Sequence, residues 1–257
     1  SEMTALAEKQ KPFFFLIDFE HENPIVCPIN KAKELGFYFE IKDLKNFKAQ
    51  FTEQKPIHLS IDPVPKSHYS KAYKKVVKEI CQGNTFLLNL TFPSKIKTPL
   101  SLEDIFHRAK APYKLYYKDN FVVYSPECFI KIKDGYIYSY PMKGTIDASL
   151  PNARKTLTNN TKEINEHNTI VDLIRNDLSK VAKDVKVTRF RYIDKIKTQK
   201  NEIYHTSSEI RGKLFKGWKK QLPELLLTML PAGSICGAPK EKTVSIIREA
   251  EEEKRGY

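Results

Sequence analysis

Cysteine is scarce and scattered. Cys27, Cys81, Cys128 and Cys236 are the only four in 257 residues. None has a neighbour at metal-ligand spacing, which argues against a disulfide framework and a zinc site and for free thiols in a reducing cytoplasm. No apolar run is long enough to span a bilayer. The run Phe13–Ile17 is too short for a signal-peptide core and is followed at once by Asp18, so it is expected to be a buried strand. No helix-turn-helix, zinc-finger or RNP pattern is present, which leaves no specific nucleic-acid reader. The stretch Gly233-Ser234-Ile235-Cys236-Gly237-Ala238-Pro239-Lys240 lacks the spacing of a nucleotide-binding P-loop.

What is there is an ordinary globular composition, 40% hydrophobic and 29% charged. The length suffices for one large or two small domains. Basic residues dominate, 44 Lys+Arg against 31 Asp+Glu, for a formal charge of +13. The lysines run along the whole chain and form no single stripe, so a solvated surface accounts for them. A basic nucleic-acid binder is the competing class, to be tested by a salt-dependent shift with generic DNA. A positive field also draws in a small dianion.

Taken in order, residues 12–41 carry strand signals, and 43–70 read as irregular. Residues 1–69 are therefore expected to be a short strand-rich segment packed on a catalytic domain at 70–257. Tyr73, Val76, Val77 and Ile80 make one apolar stripe and predict a helix over Ser70–Gln82, stopped by Gly83. A strand is expected over Thr85–Phe92 and a helix capped by Ser101 with Asp104. Four short strands follow, at Tyr113–Tyr117, Phe121–Tyr124, Phe129–Ile132 and Tyr136–Tyr140, with turns at Asp119-Asn120 and Asp134-Gly135. Such a meander predicts an α+β fold with antiparallel sheets, not a doubly wound one. The longest helix is expected from Asn160 to Ala182, capped by Asn160 and Glu163. Strands at Val185–Phe190, Ile196–Thr198 and Ile203–Ser207 follow, then a helix over Leu222–Leu230. A Gly-containing loop over Pro231–Ala238 leads to a last helix opened by Pro239.

Pro141 removes a ladder donor and Gly144 allows a backbone conformation other residues avoid, so Lys143 is expected at a strand-to-loop corner. By itself it is a turn lysine. Glu127 follows Pro126 at a strand end, where a surface carboxylate is equally natural. Glu163 and Glu166, three apart, share one helix face.

Pro141-Met142-Lys143-Gly144-Thr145 resembles the Pro-Ile-Lys-Gly-Thr signature of the chorismate-utilising enzymes, and within them the aminodeoxychorismate synthase component I branch. Further segments match in the same order: Gly83–Asn89, Ser125-Pro126-Glu127, Asn165-Glu166-His167 with Ile170–Leu178, and Pro231–Lys240. The resemblance covers residues 70–257. It implies two packed antiparallel sheets flanked by helices, with the family's domain continuing beyond Tyr257, so that this chain is incomplete at the C-terminus and its own activity is an open question. It implies conversion of chorismate and ammonia to 4-amino-4-deoxychorismate for 4-aminobenzoate and folate synthesis, with Mg²⁺ as cofactor and a glutaminase subunit as partner. No tryptophan feedback is expected, because the segment before residue 70 is shorter than in long relatives.

Residue by residue, the resemblance makes Lys143 a covalent nucleophile and Glu127 a general acid, which requires a raised pKa. Anthranilate synthase component I, the alternative activity, usually has alanine at the lysine position. Glu166 and Glu163 match the helix that supplies Mg²⁺ ligands, with Glu166 expected in direct contact. Thr145, Gly144, His205, Gly233, Ser234, Gly237, Ala238 and Lys240 match segments close to substrate. Arg175 either orients a carboxylate or pairs with Asp172 or Asp177. Isochorismate-forming relatives use a lysine on the strand after Gly83, and none is present here. Glutamine is common in ammonia-using relatives where Leu87 stands. A chain that binds a partner without turnover is the remaining alternative.

Overall fold

The structure, a computed structural model, describes residues 1–48, 59–197 and 201–257. Part of the irregular 43–70 stretch, and Thr198, lie outside the described residues. In chain order the elements begin with helix α1 (Glu2–Glu8) and strands β1 (Phe13–Leu16), β2 (Ile25–Pro28), β3 (Phe37–Ile41), β4 (Leu44–Lys45) and β5 (Ser60–Asp62). Helix α2 (Lys66–Cys81), β6 (Leu87–Leu88), β7 (Lys95–Lys97) and α3 (Leu102–Arg108) follow. Next come β8 (Tyr113–Tyr117), β9 (Phe121–Ser125), β10 (Lys131–Lys133), β11 (Tyr136–Ser139) and β12 (Met142–Asp147). Helices α4 (Ala153–Asn159) and α5 (Thr161–Ser179) precede the long strands β13 (Ala182–Lys197) and β14 (Glu202–Leu214). The chain closes with α6 (Leu222–Met229), a helical turn α7 (Gly233–Cys236), β15 (Gly237–Ala238) and α8 (Lys240–Glu251). This is the α+β class expected from the sequence.

The chain forms two compact units. The first gathers residues 1–109, 114–124 and 235–257. Its four-stranded sheet has the order β4-β3-β8-β9. Phe14, Cys27, Ala32, Phe37 and Phe39 form its core, with the Phe14 and Phe37 rings stacked at 4.8 Å and Phe37 on Tyr117 at 4.3 Å. A second core joins Ala72 and Val76 of α2 to Ile246 and Ala250 of α8. All four cysteines are free thiols, as expected.

The second unit comprises residues 110–113 and 125–234. Strand β14 is its axis. One edge pairs with β13 along its whole length. The other edge pairs with β11 through Ile210–Lys213 and with β12 through Ile203–Ser207. β11 and β12 thus lie end to end along one strand. Helix α5 packs on β12, β13 and β14, burying His167, Ile170, Val171, Ile174, Asp177 and Leu178. Fully burying each aliphatic side chain of that stripe is worth roughly 1.5–3 kcal/mol. The Asn160 side chain caps α5 by accepting from Glu163 N at 3.2 Å.

Several expectations are corrected. The meander is split: β8 and β9 join β3 in one sheet, β10 and β11 join β14 in another. Local patterning gives strands but not their partners. The three strands expected over 185–207 are the single β13–β14 hairpin, whose ladder is kinked by register shifts. Helix α2 starts at Lys66, directly after Pro65. The strand expected over 85–92 shrinks to Leu87–Leu88, which pairs with β15. Helix α1, capped by the Ser1 side chain, was not foreseen.

Lys114 in the first unit is 8% exposed. Its ammonium donates to the carbonyls of Phe106 and Ala109 at 3.3 Å each and pairs with Glu40 at 3.3 Å. It thereby satisfies the C-terminal carbonyls of α3. Lys114→Met should lower stability by about 1–3 kcal/mol, the cost of leaving such groups unpaired. Urea unfolding monitored by circular dichroism is the measurement, and an unchanged midpoint would contradict this role.

Candidate active site

Strand β11 ends at Ser139, before Pro141, but the chain does not leave the sheet there. Pro141 lacks an N–H, but its carbonyl still accepts from Ser208 N at 3.1 Å, and pairing resumes at Met142 opposite Ser207. The expected strand-to-loop corner is instead a bulge inside a strand. Lys143 pairs with Thr206 and Thr145 with His205, so Gly144 is the extra residue. Its φ of +81° and its neighbours require glycine: an added Cβ would lie 2.9 Å from Glu163 Oε2, 3.2 Å from Leu157 Cδ1 and 3.4 Å from Thr206 Oγ1. The Thr206 hydroxyl donates to the Lys143 carbonyl. The half-buried Lys143 ammonium has neither a hydrogen bond nor an ion pair among the described residues.

Glu127 sits in a turn in which the Ser125 hydroxyl accepts from Glu127 N at 3.1 Å and donates to Glu127 O at 2.9 Å. Burial pushes its carboxyl up to about 7, and the Lys143 charge nearby partly offsets that. Desolvation dominates over attraction, so the acid is largely protonated just below neutral pH.

The run His205-Thr206-Ser207-Ser208 of β14 is polar yet buried, at 6%, 1%, 3% and 0% exposure. Burial holds the His205 imidazole below its usual range, with Asp194 opposing. His167 on α5 is fully buried, and its Nε2 meets Ser208 Oγ at 2.7 Å. Burial, then the Arg191 charge, bring its pKa down to about 4.

The second unit therefore brings together Lys143, Gly144, Thr145, His205, Glu163 and Glu127. It is Glu163 whose carboxylate lies against the lysine's bulge; Glu166 pairs with Lys162 at 3.6 Å and is 41% exposed. Arg175 is not among them. It lies about 18 Å along α5 from Glu163 at 1.5 Å per residue and pairs with Asp172 at 3.3 Å on the exposed surface. Gly233 rests on α5 beside Leu173 and Asp177, and Ser234 ends the same unit. Gly237 and Ala238 belong to the first unit, paired with Leu88 and Leu87. There the φ of +123° at Gly237 and a Cβ position only 1.9 Å from the Leu87 carbonyl oxygen exclude any side chain. Lys240 opens α8 in that unit.

Among the described residues no group of three or more His, Cys, Asp and Glu is placed to hold a metal. Glu163 and Glu166 offer carboxylate oxygen only, and the Glu163 carboxylate has no hydrogen-bond or ion-pair partner among the described residues. That donor set fits a hard divalent cation which keeps water and substrate oxygens in its shell, not a closed protein cage. His167, Ser208, Thr206 and Arg191 were missed as candidates. The available signal was a run of polar residues inside a strand long enough to be central.

The second unit thus holds a partly buried acid, a lysine with no partner among the described residues, and two buried histidines. The chain belongs to the chorismate binding enzyme family, whose match covers residues 16–257. It is 55% identical to a PabA-like protein of Pasteurella multocida, over 97% of this chain and 78% of that one. A PabA-like protein of Haemophilus influenzae is 53% identical, over 97% and 76%. Aminodeoxychorismate synthase component 1 of Bacillus subtilis is 28% identical over 76% of this chain, which spans 43% of its length. Anthranilate synthase component 1 of Aquifex aeolicus is also 28% identical, over 93% and 49%. The menaquinone-specific isochorismate synthase MenF of Escherichia coli shares the fold, with a TM-score of 0.66 at 14% identity over 95% of this chain and 64% of that one. No helix among the described residues is long and apolar enough to cross a membrane.

The depressed His167 pKa has a definite sign. Between about 4 and the unfolded value of 6.5 the unfolded chain binds the extra proton, so this contribution is complete above pH 6.5 and lost as pH falls toward 4. Its size is about 3 kcal/mol at 1.36 kcal/mol per unit. Urea unfolding of the parent and His167→Gln from pH 4 to 7 should show this component in the parent alone.

Proposed function

We propose that the protein is an aminodeoxychorismate synthase component I, which converts chorismate and ammonia to 4-amino-4-deoxychorismate. The observation that carries this is the half-buried Lys143 at the Gly144 bulge, beside a Glu127 whose carboxyl is raised to about 7. A lysine amine in its neutral form adds to ring C2 while the ring double bonds shift and the C4 hydroxyl leaves as water, taking its proton from Glu127. Ammonia then adds at C4 as the ring double bonds shift back and expel the lysine as an amine, and the ammonium formed at C4 returns a proton to the Glu127 carboxylate. A protonated carboxyl is the form that can assist the leaving hydroxyl, and burial keeps it available. Glu163 and Glu166 would hold a Mg²⁺, which would supply positive charge for a substrate carboxylate. Thr145, Gly144, His205, Gly233 and Ser234 would line the substrate's surroundings. Gly237, Ala238 and Lys240 of the first unit and the surface-paired Arg175 are given no role in this proposal.

The ammonia source would be a glutaminase subunit, and the setting the cytoplasm and folate synthesis. The equal identity to an anthranilate synthase component 1 supports one second reading, in which the product is anthranilate. Lys143, where that sister enzyme usually has alanine, favours the first.

Chorismate, Mg²⁺ and ammonium incubated with the parent should give aminodeoxychorismate by mass spectrometry. Lys143→Ala should lose on the order of 100-fold or more in rate, the scale of removing a group that acts in the transition state. Anthranilate as product would overturn the assignment. Separately, with free ammonia held constant, the parent's rise in turnover with pH, set by the neutral lysine amine, should bend over in a limb near 7, where Glu127 deprotonates. Glu127→Gln should be slow throughout and lack that limb; an unchanged profile would remove Glu127 from the acid role.

A further inference from the structure

We infer that His167, acting through Ser208, is a positioning residue that sets the Glu163 carboxylate against the Lys143–Gly144 bulge. The side chains and backbone form a closed circuit. Ser208 N donates to the carbonyl of Pro141, two residues before Lys143. Ser208 Oγ meets His167 Nε2 at 2.7 Å. His167 lies four residues after Glu163 on α5, so both sit on one ridge of the helix, a turn apart. Glu163 Oε2 then lies 2.9 Å from where a Gly144 Cβ would be, which returns the circuit to the bulge. The helix is thus bonded to the strand at Ser208, and one turn away Glu163 packs against the bulge that carries the lysine.

Hydrogen-bond counting assigns the tautomer. Ser208 Oγ already accepts from Arg191 N at 2.9 Å, and among the described residues the acceptor for its own proton is His167 Nε2. A neutral imidazole protonated on Nδ1 therefore satisfies the hydroxyl completely and leaves a single buried orphan, Nδ1. The opposite tautomer leaves two, the hydroxyl proton and Nδ1. The serine is held from a third side as well. Arg191 has φ of 44°, and its guanidinium donates to the carbonyls of Leu157 and Thr158 at 3.1 Å each, tying the end of α4 to β13. An apolar pair in these positions would fill the space but would let α5 slide or rotate on the sheet. A hydrogen bond of fixed length between two fully buried groups does not.

The Glu163 role rests on the functional proposal; the geometry of the circuit does not. Ser208→Ala is the mild lesion, His167→Leu the larger one, and His167→Gln the conservative replacement that keeps an acceptor near Nε2. Chorismate consumption, whichever product forms, should show kcat reduced about 10–100-fold in the first two variants, the usual cost of losing an outer-shell partner. KM should stay near the parent value, the double variant should be no slower than the worse single one, and His167→Gln should recover most of kcat. Crystal structures of the parent and Ser208→Ala give a readout independent of turnover: Glu163 should lie against Gly144 in the first and be displaced in the second. Folded Ser208→Ala with undiminished kcat and Glu163 unmoved would overturn the inference. So would losses that follow melting temperature alike in all variants, His167→Gln included. If the parent consumes no chorismate, the functional proposal fails while the crystallographic comparison still decides the positioning role.

Discussion

Strand β14 has a partner on each edge over most of its length, and α5 covers its face. A strand in that position exposes neither its edges nor the covered face, so any polar side chain it carries there must find a partner inside the protein. β14 nevertheless carries four consecutive buried polar residues, His205 to Ser208. The Thr206 hydroxyl is spent on the Lys143 carbonyl, and Ser208 on His167 and Arg191. The arrangement of the lysine, the glutamate and the bulge follows from how those groups are satisfied.

Burial acts on the site in one direction. It raises the Glu127 carboxyl and lowers the His167 and His205 imidazoles. In each case the neutral form is the one favoured, because desolvation penalises charge and no partner nearby is close enough to outweigh it. Glu163 differs: it is half-buried at the edge of this region. Lys143, for its part, has no ion-pair partner among the described residues.

The first unit solves a different problem, tying distant segments together. Glu251 at the end of α8 is 4% exposed and accepts from Thr91 N at 2.9 Å and from Arg255 Nε at 2.8 Å. Arg255 also donates to the carbonyls of Ile235 and Asn89, and its backbone N–H to Glu20 at 2.9 Å. Four stretches of chain meet at one ion pair that is itself well hydrogen-bonded, the condition under which burying such a pair is tolerable.

The sequence by itself determined helices α2, α3, α5, α6 and α8 and many of the strands, because periodicity, Pro, Gly and capping residues act over a few positions: Asn160 caps α5 and Ser101 caps α3 as their spacing implies. It also determined the family, through motifs that keep their order, and singled out Lys143 and Glu127. Only the tertiary structure decided that Lys143 rides a bulge inside a strand, because β14 supplies the partners that let pairing resume beyond Pro141. Only it decided that β8–β9 and β10–β11 enter different sheets, since strand pairing is a choice among distant edges. The same holds for Glu163 over Glu166 at the bulge, for Arg175 going to the surface, and for His167 meeting Ser208 across 41 residues of chain. Local sequence sets which groups are available; long-range packing selects which of them meet.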